Sequence, residues 1–150
     1  MRAALAIGTL IFTLAGCSSH QSKPISCNEP SDLSSLSGIY KSSEKLTINQ
    51  FGPIDSSSTW NLKFDKKGYI TGEKSWTSNK NFGNDATGTK VRSDSETIIG
   101  LIKNCKIALV ETNENGMAHA ELMKDQSISV SMLQSGDKPV VNMMTLVKSR

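Results

Sequence analysis

The sequence predicts an all-β domain, an antiparallel meander of seven to nine strands closed as a small β-barrel or folded as a sandwich. Three observations favour this class. Apolar and polar residues alternate over short segments, turn-forming residues separate those segments, and no stretch after the N-terminal signal has the apolar period of a helix. We favour the barrel because closure leaves no open strand edge on which chains aggregate.

The clearest strand signal is a hairpin from Trp60 to Gly72. Apolar and polar residues alternate along its first strand, and Asp65-Lys66-Lys67-Gly68 predicts the turn, since glycine tolerates the positive φ that tight turns require. The alternation places the large apolar side chains of both strands on one face, which we expect to point inward. In a hollow barrel, these side chains are the ones expected to line a ligand cavity: Trp60, Leu62, Phe64 and Ile70.

Five further strands are predicted in the second half of the chain. The composition of Lys80–Gly88 indicates a loop, and two clusters of turn residues, at positions 113–116 and 135–137, separate the later strands. The predicted strands are Glu96–Lys103, Cys105–Thr112, Met117–Lys124, Ser127–Leu133 and Val140–Lys148.

The first seventeen residues carry an export signal. A single basic residue, Arg2, precedes an apolar run from Ala3 to Ala15, and the run ends in Leu14-Ala15-Gly16-Cys17. These last four residues resemble the lipobox of bacterial lipoproteins. The resemblance implies that residues 1–16 are a signal peptide removed by cleavage. It also implies that diacylglycerol is attached to the thiol of Cys17 and, in many species, that an acyl chain such as palmitate is added to the new amino group.

Two alternatives to this interpretation are a plain secretory signal and an uncleaved membrane anchor. The apolar run falls well short of the roughly 20 residues that a spanning helix needs. Two or three acyl chains, by contrast, make a durable attachment. Ser18 stands where an Asp commonly retains Gram-negative lipoproteins in the inner membrane. We therefore expect a lipid-anchored protein of the bacterial outer membrane, with the inner membrane or another cell membrane as the alternative.

The remaining chain is long enough for one domain. Residues 17–36 are rich in serine, contain two prolines and lack apolar periodicity, which predicts a lipidated flexible tether. Within it, Asp32–Leu36 has the residues for one helical turn. Residues 37–150 then form the predicted β-barrel domain.

Two cysteines remain once Cys17 carries lipid. Cys27 and Cys105 form an even pair in an exported chain, and such a pair predicts a disulfide in an oxidising compartment. Two separate thiols are the alternative.

The charge of the chain gives no argument for a nucleic-acid partner. The sequence has 17 basic and 14 acidic residues, a net charge of +3, which falls to +2 when Arg2 leaves with the signal peptide. The near balance predicts mixed, solvated surface charges and no nucleic-acid binding. No cofactor is predicted from the sequence.

Catalytic and metal sites are not predicted. His20 lies in the tether, His119 is expected to face solvent from a strand, and no Gly-x-Ser-x-Gly sequence is present. One histidine without a second histidine or cysteine nearby does not indicate a metal site. Glu111, Glu114 and Glu121 cluster around one predicted turn, and we interpret them as a solvated rim.

Aromatic residues and methionines have two possible roles, core packing and the lining of a cavity. We favour packing because aromatic residues are scarce and methionine fills irregular gaps. The residues concerned are Trp60, Tyr69, Trp76, Met117, Met123, Met132, Met143 and Met144.

Two segments resemble the calycins, the group of lipocalin-like and avidin-like β-barrels. They are the opening Leu36-Ser37-Gly38-Ile39-Tyr40 and the hairpin Trp60–Gly72. The resemblance implies a barrel of the kind that holds a small apolar ligand, inhibits an enzyme or serves as a scaffold in other proteins. The aromatic residues that avidin-like proteins place around biotin are not found here, so no binding residues are transferred.

These observations predict a non-enzymatic lipoprotein attached to the membrane through Cys17. Its barrel is expected to bind a small apolar ligand inside or an envelope protein on its rim. The alternative is a structural, envelope-assembly or enzyme-inhibitor lipoprotein with a filled barrel.

The lipobox generates a direct prediction. Because the Cys17 thiol is the expected attachment point, Cys17→Ser should abolish incorporation of radiolabelled palmitate and release the protein from membranes. The unchanged chain serves as the control. Undiminished palmitate incorporation into the variant would rule out lipidation at this residue.

Overall fold

The computed structural model of this chain confirms the all-β class and describes residue 27 and residues 29–78 and 93–150. The predicted loop Lys80–Gly88 lies outside the described residues. Within the described ranges, no helix is long and apolar enough to cross a membrane. The strands are β1 Gly38–Asn49, β2 Gly52–Ile54, β3 Ser56–Phe64, β4 Tyr69–Ser78, β5 Ser93–Lys103, β6 Lys106–Glu111, β7 Gly116–Leu122, β8 Ile128–Gln134 and β9 Val140–Lys148.

The sheet closes on itself as a barrel. From β3 to β9 each strand pairs with the next one along the chain, always antiparallel, and β1 pairs with both β3 and β9. The closing pair runs from Tyr40 opposite Lys148 to Asn49 opposite Val140. The short strand β2 pairs only with Thr47–Asn49 at the end of β1. The result is an eight-stranded up-and-down barrel with one short additional strand, which confirms the predicted barrel.

The predicted hairpin is confirmed in its register. Phe64 lies opposite Ile70 and Leu62 opposite Gly72. Gly68 ends the turn with a φ of 91°, a backbone conformation that residues with a Cβ atom rarely adopt. The inward side chains of the hairpin are almost fully buried, as the alternation predicts: Trp60, Leu62, Phe64 and Ile70.

The other five predicted strands are present; Val140–Lys148 has the predicted bounds, and the other four differ by one to three residues at one or both ends. The sequence predicts that a strand starts at Cys105, but this residue lies in a turn. Asn104 and Cys105 both have positive φ, 52° and 62°, as the two central residues of a tight hairpin turn between Lys103 and Lys106. β6 therefore begins one residue later than predicted.

One end of the barrel is closed by apolar packing. A 3₁₀ turn at Leu33–Leu36 covers it, and both leucines are buried in the core. The hydroxyl of Tyr40 donates a hydrogen bond of 2.5 Å to the carbonyl of Leu36, and burial raises the pKa of Tyr40 to about 12. The predicted helical turn is confirmed, and the folded part of the chain begins within the segment predicted as a tether. We call this end the closed end.

A disulfide joins Cys27 to Cys105 at the closed end, as predicted. The two Cα atoms are 6.3 Å apart, and the bridge spans a sequence separation of 78 residues. A carboxylate oxygen of Glu29 accepts a hydrogen bond of 2.5 Å from the backbone N–H of Cys105, which adds a second tie at the same turn. Closing a loop of this length stabilises the fold by up to about 4 kcal/mol in the chain-entropy description.

Candidate functional site

The half of the barrel opposite the closed end is hollow. It contains a cavity of about 180 Å³, open at the mouth formed by the connections after β1 and β8. Apolar side chains make much of its wall, and Phe51 and Ile54 stand at the mouth. Trp76, Met132 and Met144 line the deeper part.

The floor of the cavity carries three buried charged side chains. Lys74 on β4 forms ion pairs with Glu96 on β5 and with Glu111 at the end of β6. Only 5, 4 and 8% of these three residues is exposed, respectively. The ammonium of Lys74 also lies 5.9 Å from the ring centre of Trp60, which favours a cation. We call Lys74, Glu96 and Glu111 the charged floor.

The two carboxylates of the charged floor differ in proton affinity. Burial and a hydrogen bond with Glu96 raise the pKa of Glu111 to about 7, against an ordinary value of 4.5. Burial acts to raise the pKa of Glu96 as well, but hydrogen bonds from Glu111 and Lys74 outweigh it and lower that pKa. Near pH 7 the pair therefore holds a proton part of the time, and that proton resides on Glu111.

Neighbouring groups hold the charged floor in place. The indole N–H of Trp76 donates a hydrogen bond of 3.2 Å to Glu96. The carboxylate of Glu111 lies against Gly116, where any Cβ would collide with it, so the glycine makes room for the buried acid. Within the described residues, one oxygen of each acid, Glu96 Oε2 and Glu111 Oε2, accepts no hydrogen bond, although Lys74 forms an ion pair with that oxygen of Glu96. These contacts give the charged floor a defined geometry.

A second lysine faces the same cavity. Lys45 on β1 is half-buried and lines the cavity wall. Burial, helped by repulsion from Lys74, lowers its pKa to about 8, although Asp55 opposes the shift. Among the described side chains, none forms an ion pair with Lys45.

The carboxylates near the floor also bear on metal binding. One oxygen each from Glu96, Glu111 and Glu114 lie within 4.8 Å of one another. However, Lys74 already contacts Glu96 and Glu111, and Gln134 donates a hydrogen bond of 2.5 Å to Glu114. A cation in this place would have to displace an ammonium, so the arrangement favours Lys74 as the partner of the two buried acids.

The residues predicted to line a ligand cavity lie elsewhere. Leu62, Phe64 and Ile70 belong to the packed half near the closed end and do not line the open cavity. Trp60 sits between the two halves and lines only a void of about 10 Å³. The prediction identified inward-facing residues correctly, but the leucines of the 3₁₀ turn fill the space beside them.

The predicted rim of acidic residues needs correction. Glu111 is buried and not solvated, and Glu114 alone is exposed beside the mouth. Glu121 pairs with Lys106, at the other end of the β6–β7 hairpin, because Val110 lies opposite Met117. His119 is exposed on β7, as predicted.

The alternation of the strands could have predicted the buried charged residues, although charged residues are usually expected to face solvent. Counting in steps of two from the inward Ile70 leads through Gly72 to Lys74, and counting back from Ile98 leads to Glu96. The same step from Leu109 leads to Glu111. Charged residues at inward positions of three adjacent strands indicate a buried ion-pair cluster.

The methionines divide between the two faces of the barrel. Met132 and Met144 line the cavity, Met123 is half-buried, and Met117 and Met143 are exposed on the outer face. Met132 and Met144 therefore have both of the roles considered, core packing and lining of the cavity, whereas the predicted packing is wrong for Met117 and Met143.

The outer face carries a continuous row of exposed apolar side chains. Cross-strand pairing places each member directly beside the next, from β1 across β9, β8, β7 and β6 to β5. Their exposed fractions lie between 42 and 50%. We call this set the outer row: Ile48, Val141, Leu133, Met117, Val110 and Ile99.

The raised pKa of Glu111 makes stability depend on pH. The folded state keeps a proton that the unfolded state releases near pH 4.5, so this stabilisation is complete below that pH and is lost as pH rises through about 7. Glu111→Gln retains the shape of the protonated acid and removes the titration. We expect the wild type to lose on the order of 2 kcal/mol of unfolding free energy between pH 5 and pH 8, a loss that the variant avoids.

Urea denaturation at the two pH values measures this effect. Glu114→Gln, at an exposed acid beside the same cavity, is the matched control and should behave as the wild type. An equal pH-dependent loss in Glu111→Gln would show that Glu111 is not the group responsible.

The comparison with known proteins finds no relative of this chain. No protein-family model, no curated protein and no solved structure matches the chain. The function must therefore be argued from the chemistry of the cavity itself.

Proposed function

We propose that this protein is a lipid-anchored binding protein that holds a small, mainly apolar ligand in the open half of its barrel. One observation carries the proposal. The same eight strands pack their interior tightly at the closed end and leave a cavity of about 180 Å³ at the other. A concave, largely apolar space with a few placed polar groups is the usual form of a small-molecule site.

The charged floor supports binding over a purely structural role. Burying three charged groups costs free energy, and apolar residues of similar volume often stabilise a core as well or better. A scaffold gains nothing from Lys74, Glu96 and Glu111 beneath an open space. A binding protein gains groups that orient the polar part of a ligand.

The side chains of the wall suit a ligand of variable shape. Met132 and Met144 are flexible and polarisable, and Trp76 offers a flat apolar surface. The cavity is smaller than the roughly 300–1,000 Å³ typical of drug-sized ligands. We infer a small molecule, or one that inserts a single apolar arm through the mouth.

The lipobox supports the membrane-anchored part of the proposal. Acylation of Cys17 would keep the barrel at a membrane surface, and the outer membrane is the location that Ser18 favours. No catalytic role is proposed.

A pair of tryptophan variants tests the binding proposal. Thr47 lines the cavity, whereas its neighbour Ile48 points outward and is half exposed. Thr47→Trp should fill the cavity and exclude the ligand, while Ile48→Trp should leave binding intact. Native mass spectrometry of the protein purified from its own host should find a bound small molecule in the wild type and in Ile48→Trp, but not in Thr47→Trp.

Circular dichroism of both variants verifies that they remain folded. A wild-type protein without any bound molecule, or a bound molecule that survives Thr47→Trp unchanged, would contradict a ligand in this cavity.

A second candidate function is association with another protein through the outer row. Exposed, contiguous apolar surface on a soluble domain marks interaction sites. The outward positions of β8 and β9 beside the row, Ser129, Ser131, Met143, Thr145 and Val147, carry no charged side chain. Because an uncharged face neither repels its own copy nor selects a charged partner, we commit to a second copy of this chain as the occupant.

Sedimentation equilibrium of the full chain in density-matched detergent tests this association. We expect a dimer mass for the wild type and a monomer for Leu133→Lys, which puts a charge in the centre of the outer row. Asn61→Lys, at an exposed position on β3, a strand that carries no member of the outer row, is the control and should remain dimeric. A monomeric wild type would exclude self-association through this face.

A further inference from the structure

A β-bulge in β1 turns Lys45 into the cavity. Ser43 pairs with Thr145 and Leu46 with Met143, so two residues of β1, Glu44 and Lys45, oppose the single residue Met144. In an unbroken strand, the inward step from Ser42 would fall on residues 44 and 46. The extra residue shifts this alternation, which sends Leu46 outward, with 74% of its surface exposed, and brings Lys45 and Thr47 to the cavity wall.

Because of the bulge, Lys45 faces the cavity at the place where a regular strand would put Leu46. Leu46 in the cavity and Lys45 in solvent would satisfy the hydrophobic effect better than the observed arrangement does. Bulges that re-aim a side chain are common beside functional sites. The exposed position of Leu46 and the inward position of Lys45 are both unfavourable, which indicates a functional role for Lys45 in the cavity.

In the described part of the chain, no carboxylate forms an ion pair with Lys45. The neighbouring charge with the largest effect on the pKa of Lys45 is that of Lys74, which is also positive, and the opposite effect of Asp55 on this pKa is smaller. The two acids of the charged floor are already paired with Lys74. The described cavity lining also carries Asp94, Glu114 and Lys138, and none of them forms an ion pair with Lys45. A negative group placed beside Lys45 would therefore give this ammonium the partner that the described side chains do not supply.

We propose that Lys45 binds the monoanionic group of an amphipathic ligand, such as a carboxylate, while the apolar body of that ligand lies along Met132, Met144 and Trp76. This inference rests on the proposed ligand-binding function and specifies the chemical class of the ligand. A charge-assisted contact in a partly desolvated site is stronger than one at an exposed surface, so Lys45 also selects against neutral and cationic molecules with the same apolar body.

Three probes with one apolar chain test the head-group preference. Hexanoate, 1-hexanol and hexylamine differ only in the polar end, and their chains are short enough for the cavity. Titration calorimetry measures their binding to the full lipidated chain in lipid nanodiscs, with empty nanodiscs as the blank. We expect hexanoate to bind at least about tenfold more tightly than hexanol, and hexylamine to bind most weakly.

Two lysine variants on the same strand complete the experiment. Lys45→Met keeps an unbranched side chain without its charge, and it should weaken hexanoate binding about tenfold while leaving hexanol binding unchanged. Lys41→Met, at an exposed position on the outer face of β1, should change neither. Circular dichroism controls for folding in both.

The outcomes separate this inference from the proposed function. If hexanol or hexylamine binds as tightly as hexanoate, or if Lys45→Met leaves hexanoate binding unchanged, the cavity binds ligands but Lys45 does not select an anion. If none of the three probes binds, the ligand-binding proposal fails and this inference fails with it.

Discussion

The pairing of β1 with β9 closes the sheet, and closure determines which side chains face inward on all eight strands of the ring. Because strand side chains alternate, one closing register assigns Tyr40, Ser42 and Thr47 to the interior together with Leu146 and Asn142. The packed half and the hollow half are both consequences of this assignment. A sandwich of the same strands would have two separate sheets and no common lumen in which acids and lysines from distant parts of the chain meet.

Within the lumen, polarity increases from the closed end toward the mouth. At the closed end, large apolar residues and the leucines of the 3₁₀ turn exclude water and supply the hydrophobic stabilisation. One layer higher, Lys74 joins two acids, and above that layer the packing stops. The charged floor is therefore the boundary of the core. Its ions are tolerated because each has an opposite charge within contact, and because the cavity above them is open to solvent at its mouth.

Much of this fold could be predicted from the sequence, because the information is local. The alternation around Trp60, the turn at Gly68 and the even pair Cys27 and Cys105 each depend on a short segment or on a count of residues. Barrel closure was favoured only by a general argument about edges, since no local feature of β1 identifies β9 as its partner.

The cavity could not be located in the same way. Which half of the barrel is filled depends on the leucines at positions 33 and 36, which lie in a segment with the composition of a tether. The inward position of Lys45 depends on a bulge, and a bulge shifts the alternation by one residue without a marker in residue type. The charges of Lys74, Glu96 and Glu111 predict that they face solvent, whereas the strand register predicts that they face the interior. They face the interior because their charges compensate one another there.

The disulfide has a consequence for how the barrel is held at a membrane. Cys27 is bonded to the turn between β5 and β6, and the backbone N–H of Ser149 donates a hydrogen bond of 2.7 Å to Ile39, so both ends of the domain leave from the closed end. Nine residues lie between Cys17 and Cys27, so the ten steps of chain that join them span at most about 35 Å. An acyl chain on Cys17 would therefore hold the barrel by its closed end, and the cavity mouth, at the other end of the strands, would point away from the membrane surface.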